Sequence, residues 1–245
     1  MQYEILYPEA FPVVSVSLQK GEAIKAESGA MIAMDATLSV EGKMEGGFLK
    51  GLVRKTLTGE SFFLQRIVAD NKGRALLGHT LPGGIQAVHL DGSDPLIVSK
   101  NGFLAATEDI EVDSKIQSLS KGLFSKEGFF LVKLSGRGTA FVSSYGVIHP
   151  IRIEEGREVI IDNGHLVAWP ESMDYSVEKA SKGIMSSFTS GEGLVCRFRG
   201  PGVVYIQTRN LGAFEDWIRS IAPSGGSSSH SSTASSVLSL FDSDD

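Results

Sequence analysis

Cysteine is almost absent from this sequence, because only Cys196 occurs among its 245 residues. A single thiol cannot form an internal disulfide framework or a multi-cysteine metal cage. Cys196 lies in the apolar stretch 194–198. We therefore interpret it as a buried, unreactive thiol rather than as a nucleophile.

Long hydrophobic runs and a basic surplus are also missing. No stretch approaches the roughly 18 apolar residues of a membrane-spanning helix, and the N-terminus lacks the basic and apolar parts of a secretory signal. The formal net charge of −6 argues against a nucleic-acid-binding protein. We expect a soluble cytoplasmic protein, which could lie peripherally at the inner face of the membrane.

Catalytic signatures are absent as well. The sequence contains no Gly-x-Ser-x-Gly elbow, no Walker-type phosphate loop and no His-Glu-x-x-His motif. The histidines have no metal-like local spacing; they are His79, His89, His149, His165 and His230. We expect neither an enzyme nor a bound cofactor.

Internal repetition is the most informative feature that is present. Three versions of one segment occur at 59–64 (GESFFL), 126–131 (KEGFFL) and 191–196 (GEGLVC). A glycine-centred motif precedes each version, and its glycines are Gly29, Gly102 and Gly164. Two motifs in one order, three times, predict a triplicated architecture.

Short apolar runs between glycines predict strands throughout the repeats. These runs are rich in β-branched and aromatic residues, and we expect tight turns between paired antiparallel strands at 70–73, 135–138 and 199–202. The predicted fold class is all-β, with three pseudo-repeats of antiparallel sheet. They would form a compact β-sandwich or β-helix-like body with a pseudo-threefold axis and units near 13–80, 86–147 and 148–210.

One amphipathic helix is predicted after the repeats, at 211–221. We expect a core helix or a packed lid, with a partner-binding helix as the alternative. Residues 222–245 are rich in serine and glycine, which predicts a disordered tail. The chain would thus consist of one triplicated domain over 1–221 and this tail.

The repeated segments carry one carboxylate each, at Glu60, Glu127 and Glu192. Three equivalent carboxylates near a threefold axis could form a ring that binds a cation. They could equally accept hydrogen bonds from backbone donors at the start of a strand. We favour this structural interpretation and assign no metal site.

Basic residues are concentrated just before those carboxylates. The windows 43–57, 114–126 and 178–190 hold nine of the 23 lysines and arginines. Repetition should bring the windows to one end of the molecule, where exposed apolar side chains would suit an anionic membrane or an acidic partner. The alternative is that the apolar residues pack on the sheets and the lysines remain in solvent. The candidate interaction face comprises Lys43, Phe48, Lys50, Arg54, Lys55, Lys115, Lys121, Phe124, Lys126, Lys179 and Lys182.

Several motifs together resemble those of a known family. They occur at 27–31 (ESGAM), 122–124 (GLF), 134–139 (LSGRGT), 143–146 (SSYG), 162–165 (DNGH), 200–202 (GPG) and 207–210 (QTRN). The chain resembles the bacterial and archaeal branch of the altered-inheritance-of-mitochondria, or mitochondrial biogenesis, family over residues 1–220. The resemblance implies a triplicated all-β fold comparable to that of the tryptophan RNA-binding attenuation protein. It also implies kinship with eukaryotic proteins that act at the mitochondrial inner membrane, but no specific activity.

The sequence and the resemblance together favour a non-enzymatic scaffold or interaction protein. It would dock to a protein complex or an anionic membrane surface through the candidate interaction face, and it could oligomerise through sheet edges. The alternative is a small-ligand or metal-binding β module.

Overall fold

The computed structural model describes residues 1–43, 64–117, 129–179 and 194–222. Met1–Gly212 form one compact unit, and Ala213–Asp245 belong to a second one. The all-β prediction is confirmed, because the described residues form many antiparallel strands and only one α-helix.

Eighteen strands follow one another along the described parts of the chain. The first group is β1 (Gln2–Leu6), β2 (Val13–Leu18), β3 (Ala23–Glu27), β4 (Met31–Met34), β5 (Leu38–Lys43), β6 (Leu64–Ala69) and β7 (Gly73–Leu77). The second group is β8 (Ile85–Asp91), β9 (Leu96–Ser99), β10 (Phe103–Thr107), β11 (Ile110–Gln117) and β12 (Phe129–Ser143). The third group is β13 (Ile148–Ile153), β14 (Glu158–Asp162), β15 (Leu166–Pro170), β16 (Tyr175–Lys179), β17 (Leu194–Arg199) and β18 (Gly202–Gln207).

The same pairing pattern occurs in all three groups, which we call the first, second and third segment. Six successive strand positions, a to f, are β2 to β7 in the first segment and β13 to β18 in the third. In the second segment they are β8 to β12, since the long strand β12 fills both positions e and f. Strands a and c pair with f, while b and d pair with e, always antiparallel.

Each segment contains one apolar core. Strands a, c and f contribute side chains to it, and so do strands b, d and e. Val16 of strand a and Ile67 of strand e belong to the core of the first segment. Phe198 and Trp169 belong to the core of the third, where their rings meet edge to face with centroids 5.5 Å apart. Burial of these large apolar side chains is the main stabilising contribution to such a core.

Neighbouring segments are joined through continuous sheets. Strand b of the first segment pairs with strand c of the second, with Ala26 opposite Ala105. Strand b of the second pairs with strand c of the third, and here Val98 lies opposite Ala168. The two junctions therefore have the same register, and together they produce one 11-stranded sheet.

An ion pair crosses each of these junctions at an equivalent position. Arg66 of the first segment bonds Glu108 of the second at 2.8 Å. Lys133 of the second segment bonds Glu171 of the third. The repetition therefore includes the contacts between segments as well as the strand pairings within them.

Two strands at the ends of this series have no such junction. Strand β4 is the edge of a four-stranded sheet in the order β1-β2-β7-β4, and β14 is the edge of a three-stranded sheet in the order β14-β17-β16. Both strands are fully described, and no ladder joins them to each other. The predicted threefold axis and the unit boundaries stay predictions.

The predicted hairpins at 70–73, 135–138 and 199–202 are wrong. Strand β6 pairs with β3 and β5, whereas β7 pairs with β2 and β4, so the two strands flanking 70–72 are not paired with each other. The third segment behaves in the same way, and in the second the chain continues as the single strand β12. The glycines signal a passage between two sheets, which the local sequence cannot distinguish from a hairpin turn.

The glycine-centred motif also needs a correction of register. Met31, Phe103 and Leu166 occupy equivalent places, since each begins a β-bulge against strand f. Gly29 and Gly164 each precede that place by two residues, but in the second segment the corresponding residue is Asn101 rather than Gly102. The alignment at Gly102 is therefore out by one residue.

The predicted helix is present as α1 (Leu211–Ile221). None of its residues is buried, and Trp217 and Ile221 are both exposed. The interpretation as a core helix is therefore wrong, while the partner-binding alternative stays a prediction. The tail prediction for 222–245 falls, from residue 223 onward, outside the described residues.

Candidate interaction surface

The candidate surface begins where three equivalent strand ladders end. Strands d and e pair in each segment, and the last pairs are Lys43 with Leu64, Gln117 with Phe129, and Lys179 with Leu194. The chain leaves strand d and returns to strand e at these pairs. The basic windows of the sequence therefore start at corresponding ends of three antiparallel ladders.

Only the rims of the predicted interaction face lie within the described residues. Lys43, Lys115 and Lys179 are in the strands β5, β11 and β16. The other predicted residues of this face lie outside the described residues; they are Phe48, Lys50, Arg54, Lys55, Lys121, Phe124, Lys126 and Lys182.

The ladder registers show which rim residues are equivalent. Gly42 lies opposite Gln65, Ser114 opposite Val132, and Val177 opposite Cys196. The next residues along strand d are consequently Lys43, Lys115 and Glu178. Two of the three equivalent places carry a lysine and the third a glutamate, and the rim lysine of the third segment, Lys179, follows one residue later.

The repeat carboxylates Glu60, Glu127 and Glu192 lie outside the described residues. Leu64 and Leu131 occupy equivalent places in strand e, and Glu60 and Glu127 each precede that place by four residues. Glu192 precedes the corresponding Val195 by only three. The strand registers therefore support equivalence for the first two carboxylates but not for the third.

A charge network covers part of the three-stranded sheet. Arg197 bonds Glu178 at 3.0 Å and Glu158 at 3.2 Å, while Arg199 bonds Glu158 at 2.7 Å and Asp174 at 2.8 Å. Hydrogen bonds from Arg199 and Arg197 hold the pKa of Glu158 below the usual glutamate range, and hydrogen bonds from Arg197 and Ser176 do the same for the pKa of Glu178. Because acidic side chains already bind both arginines, the network offers little positive charge to an anionic ligand.

Metal-binding chemistry finds no support in the described ranges 1–43, 64–117, 129–179 and 194–222. They contain no group of three or more histidine, cysteine, aspartate or glutamate side chains that could hold an ion. His165 Nδ1 lies 2.7 Å from the carbonyl oxygen of Gln207. Desolvation lowers the pKa of the half-buried His79. The two histidines therefore lie in separate local environments.

Cys196 has the character expected from the sequence. It is buried in the core of the third segment, and burial raises the pKa of its thiol to about 12. A thiol with such a pKa remains protonated at neutral pH, and only the thiolate is strongly nucleophilic. The prediction of a buried thiol is confirmed.

A cavity lies beside the edge strand β4. It has a volume of about 270 Å³, and its lining includes Phe11, Ile32, His79 and Leu81. Phe11 has a positive φ of 53° and an exposed ring. The cavity is thus an open hollow on the first segment with both apolar and polar lining groups. None of the predicted site residues lies in it.

Among the described residues, no helix has the length and apolar character needed to cross a lipid bilayer. The helix α1 has only 11 residues.

Comparison with known proteins gives relatives over nearly the whole chain. An uncharacterized protein of Streptococcus pyogenes serotype M6 is 31% identical over 230 residues, which are 91% of this chain and 92% of the relative. A crystal structure of a Streptococcus pyogenes protein superimposes with a TM-score of 0.74 at 30% identity, covering 90% of this chain and 99% of the other.

A fungal relative carries a family name. The protein "altered inheritance of mitochondria protein 24, mitochondrial" of Verticillium alfalfae is 27% identical over 180 residues. The match spans 70% of this chain but only 44% of the fungal protein, so the chain covers less than half of that relative's length. The family model described as "Mitochondrial biogenesis AIM24" matches residues 3–209. The chain therefore belongs to the mitochondrial biogenesis AIM24 family.

Proposed function

We propose that this protein is a non-enzymatic interaction protein that docks peripherally to an anionic membrane surface through the candidate interaction face. The observation that carries the proposal is the placement of the basic windows. All three begin at the corresponding end of an equivalent ladder between strands d and e.

The composition of the windows suits a lipid surface. They combine nine basic residues with apolar side chains such as Phe48, Phe124 and Phe188, although the whole chain has a net charge of −6. Lysine and arginine near an anionic membrane each contribute roughly 1 kcal/mol to binding. Apolar side chains that enter the headgroup region add the hydrophobic contribution. Three such windows on one body would bind with greater avidity than a single window.

Several arginines of the described surface are already paired with carboxylates. The arginines of the three-stranded sheet are bound to carboxylates, and Arg66 bonds both Glu108 and Glu41. These contacts occupy the three arginines with carboxylates, whereas the windows concentrate nine of the 23 basic residues in three short stretches of the sequence. A catalytic role has no support from any motif in the sequence.

The test is charge reversal at one lysine of each window. A variant with Lys50→Glu, Lys121→Glu and Lys182→Glu should lose flotation with vesicles that contain phosphatidylserine. A matched control with Lys20→Glu, Lys72→Glu and Arg152→Glu has the same net charge, and these three side chains are exposed outside the windows.

The control should float as the wild type does. Equal losses in both variants would show that only net charge matters, which contradicts the proposal. If neither the wild type nor the variants bind vesicles while the wild type captures a protein complex, the face recognises a protein partner instead.

A further inference from the structure

The 11-stranded sheet contains the same six-strand block twice, and the two blocks are continuous through β12. Each block, which we call an inter-segment sheet, contains strands d, e and b of one segment joined to c, f and a of the next. The two ends of the body carry complementary halves of such an inter-segment sheet. The three-stranded sheet β14-β17-β16 is an isolated b-e-d half, and the four-stranded sheet is an isolated c-f-a half extended by β1. The missing connection is the one between β14 and β4.

The exposed side chains of β4 agree with a missing partner. Ile32 occupies the place that Leu104 and Val167 have in the second and third segments, at the bulge of strand c. Leu104 and Val167 are fully buried, and each belongs to the core of the preceding segment. Ile32 is 58% exposed, because β4 is the edge of its sheet and pairs with no strand b among the described residues.

The other edge shows the corresponding exposure. Ile160 in β14 is equivalent to Ile97, which is almost completely buried at the junction with β15. Ile160 itself is 39% exposed. Within the part of the chain that the structure describes, two apolar edges of opposite type are thus unpaired at the two ends of one body. An unpaired apolar edge favours pairing with another strand.

We propose that copies of this chain associate head to tail, with β4 of one copy pairing antiparallel with β14 of the next. The internal junctions fix the register. Ala105 lies opposite Ala26, and Ala168 lies opposite Val98. The equivalent pair is Ala33 with Ile161 of the neighbouring copy, and it places Met34 opposite Ile160. The association would complete a third inter-segment sheet and cover Ile32.

The occupant of this edge is a second copy because the chain itself already contains both sides of the junction. Closure within one chain would use the same two strands, yet they are not paired in the structure. A head-to-tail contact uses different surfaces on the two copies, so it builds a ring or an open filament rather than an isologous dimer.

One contact of the internal junctions is not reproduced. The acidic partner, Glu108 or Glu171, is replaced by Ala36 in the first segment, and Arg197 bonds Glu178 and Glu158 of its own segment. Exposed ion pairs contribute little, and backbone pairing with apolar burial would stabilise the junction. The inference is independent of the membrane proposal, since it uses other residues.

Cysteine cross-linking under mild oxidation tests the inference on the full chain. Met34→Cys and Ile160→Cys are made as separate variants, because directly opposite residues of a ladder come close enough for a disulfide. A mixture of the two should yield a covalent dimer, whereas each variant alone should not. The native Cys196 is buried and should not interfere.

The doubly substituted chain separates the two ways of pairing the edges. Head-to-tail association predicts covalent dimers and higher multimers of the 26.2 kDa chain. A disulfide confined to a single chain would show intrachain closure and overturn the inference, and so would the absence of any cross-link in the mixture.

Sedimentation velocity provides the second measurement. The wild type should sediment as species heavier than one chain, and Ile32→Glu should reduce it to a monomer. Val147→Glu places the same charge on an exposed apolar residue outside both edges, and it should leave association unchanged. A wild type that is monomeric at all concentrations, or equal behaviour of both variants, would refute the inference.

Discussion

Ile32 and Leu104 occupy equivalent positions in strand c of two successive segments, yet Leu104 is fully buried and Ile32 is exposed. The difference comes from position in the series and not from the residue type, since both are large aliphatic side chains. Leu104 belongs to the core of the segment before it, whereas β4 is a sheet edge that pairs with no strand b among the described residues. Repetition thus creates internal junctions and leaves an incomplete one at each end.

This relationship predicts different costs for truncating the two side chains. Leu104→Ala should lower the free energy of unfolding by about 2–5 kcal/mol, because it leaves a cavity in a packed core. Ile32→Ala should change it by about 0.5 kcal/mol or less, as is usual for exposed side chains. Urea denaturation of the dilute protein, where copies do not associate, measures both. Similar losses would contradict the assignment of Leu104 to a shared core.

Glycine occupies the start of strand f in all three segments, at Gly73, Gly138 and Gly202. A Cβ on Gly138 would lie 2.1 Å from Thr107 Oγ1, and the same hydroxyl accepts a hydrogen bond from the Thr139 amide. At Gly202 the nearest atom would be Sδ of Met173 at 2.5 Å. Gly138→Ala should therefore destabilise by about 1–3 kcal/mol, and Gly202→Ala by less, because a methionine side chain can move.

The control for this prediction is Gly212→Ala in α1. No atom would come closer to its Cβ than Asn210 Oδ1 at 3.4 Å. Alanine is a better helix former than glycine by up to about 1 kcal/mol, so no loss of stability is expected. Thermal unfolding followed by circular dichroism compares the three variants. Destabilisation by Gly212→Ala equal to that by Gly138→Ala would indicate an effect of alanine unrelated to the clash.

The buried thiol gives a prediction about reactivity. Native protein at pH 8 should not react with Ellman's reagent, since burial raises the pKa of Cys196 and hides its sulfur. One thiol per chain should react after denaturation in guanidinium chloride. Rapid reaction of the native protein would contradict the position of Cys196 in the core.

The charge network of the third segment predicts a stability loss in acid. Arg199 and Arg197 lower the folded-state pKa of Glu158, and Arg197 and Ser176 lower that of Glu178. The resulting stabilisation is complete above the unfolded-state pKa of roughly 4.3, and it is lost as the pH falls through the lowered folded-state pKa.

Urea midpoints measured between pH 7 and pH 3 should therefore fall toward the acid end. A variant with Arg197→Met and Arg199→Met should have a smaller dependence on pH in this window, because its carboxylates have lost their partners. The same slope in both proteins would show that other groups determine the acid sensitivity.

Much of the secondary structure could be predicted from the sequence. The helix at Leu211–Ile221 has the predicted bounds, because a helical apolar stripe is a local signal. The sequence does not reveal that the chain continues through 135–138 as one strand and changes its pairing partners there. The glycines of this stretch have the same local pattern as a hairpin, and only the partners of the flanking strands distinguish the two.

The candidate site was predictable only in part. The sequence located the basic windows, and the ladders place their beginnings at equivalent strand ends. The shifts at Gly102 and Glu192 could not be seen, since a one-residue change of register becomes visible only from strand pairing. The free edges at β4 and β14 were equally hidden, because Ile32 and Ile160 look like ordinary core residues in sequence.

Flotation of the wild-type protein with vesicles tests the central claim most directly. Neutral phosphatidylcholine vesicles would be compared with vesicles that contain phosphatidylserine, each at low and at high salt. The account predicts binding to the anionic vesicles alone, and loss of this binding at high salt because salt screens exposed charges. Equal binding to both lipids, or binding that survives high salt unchanged, would contradict it, as would no binding at all.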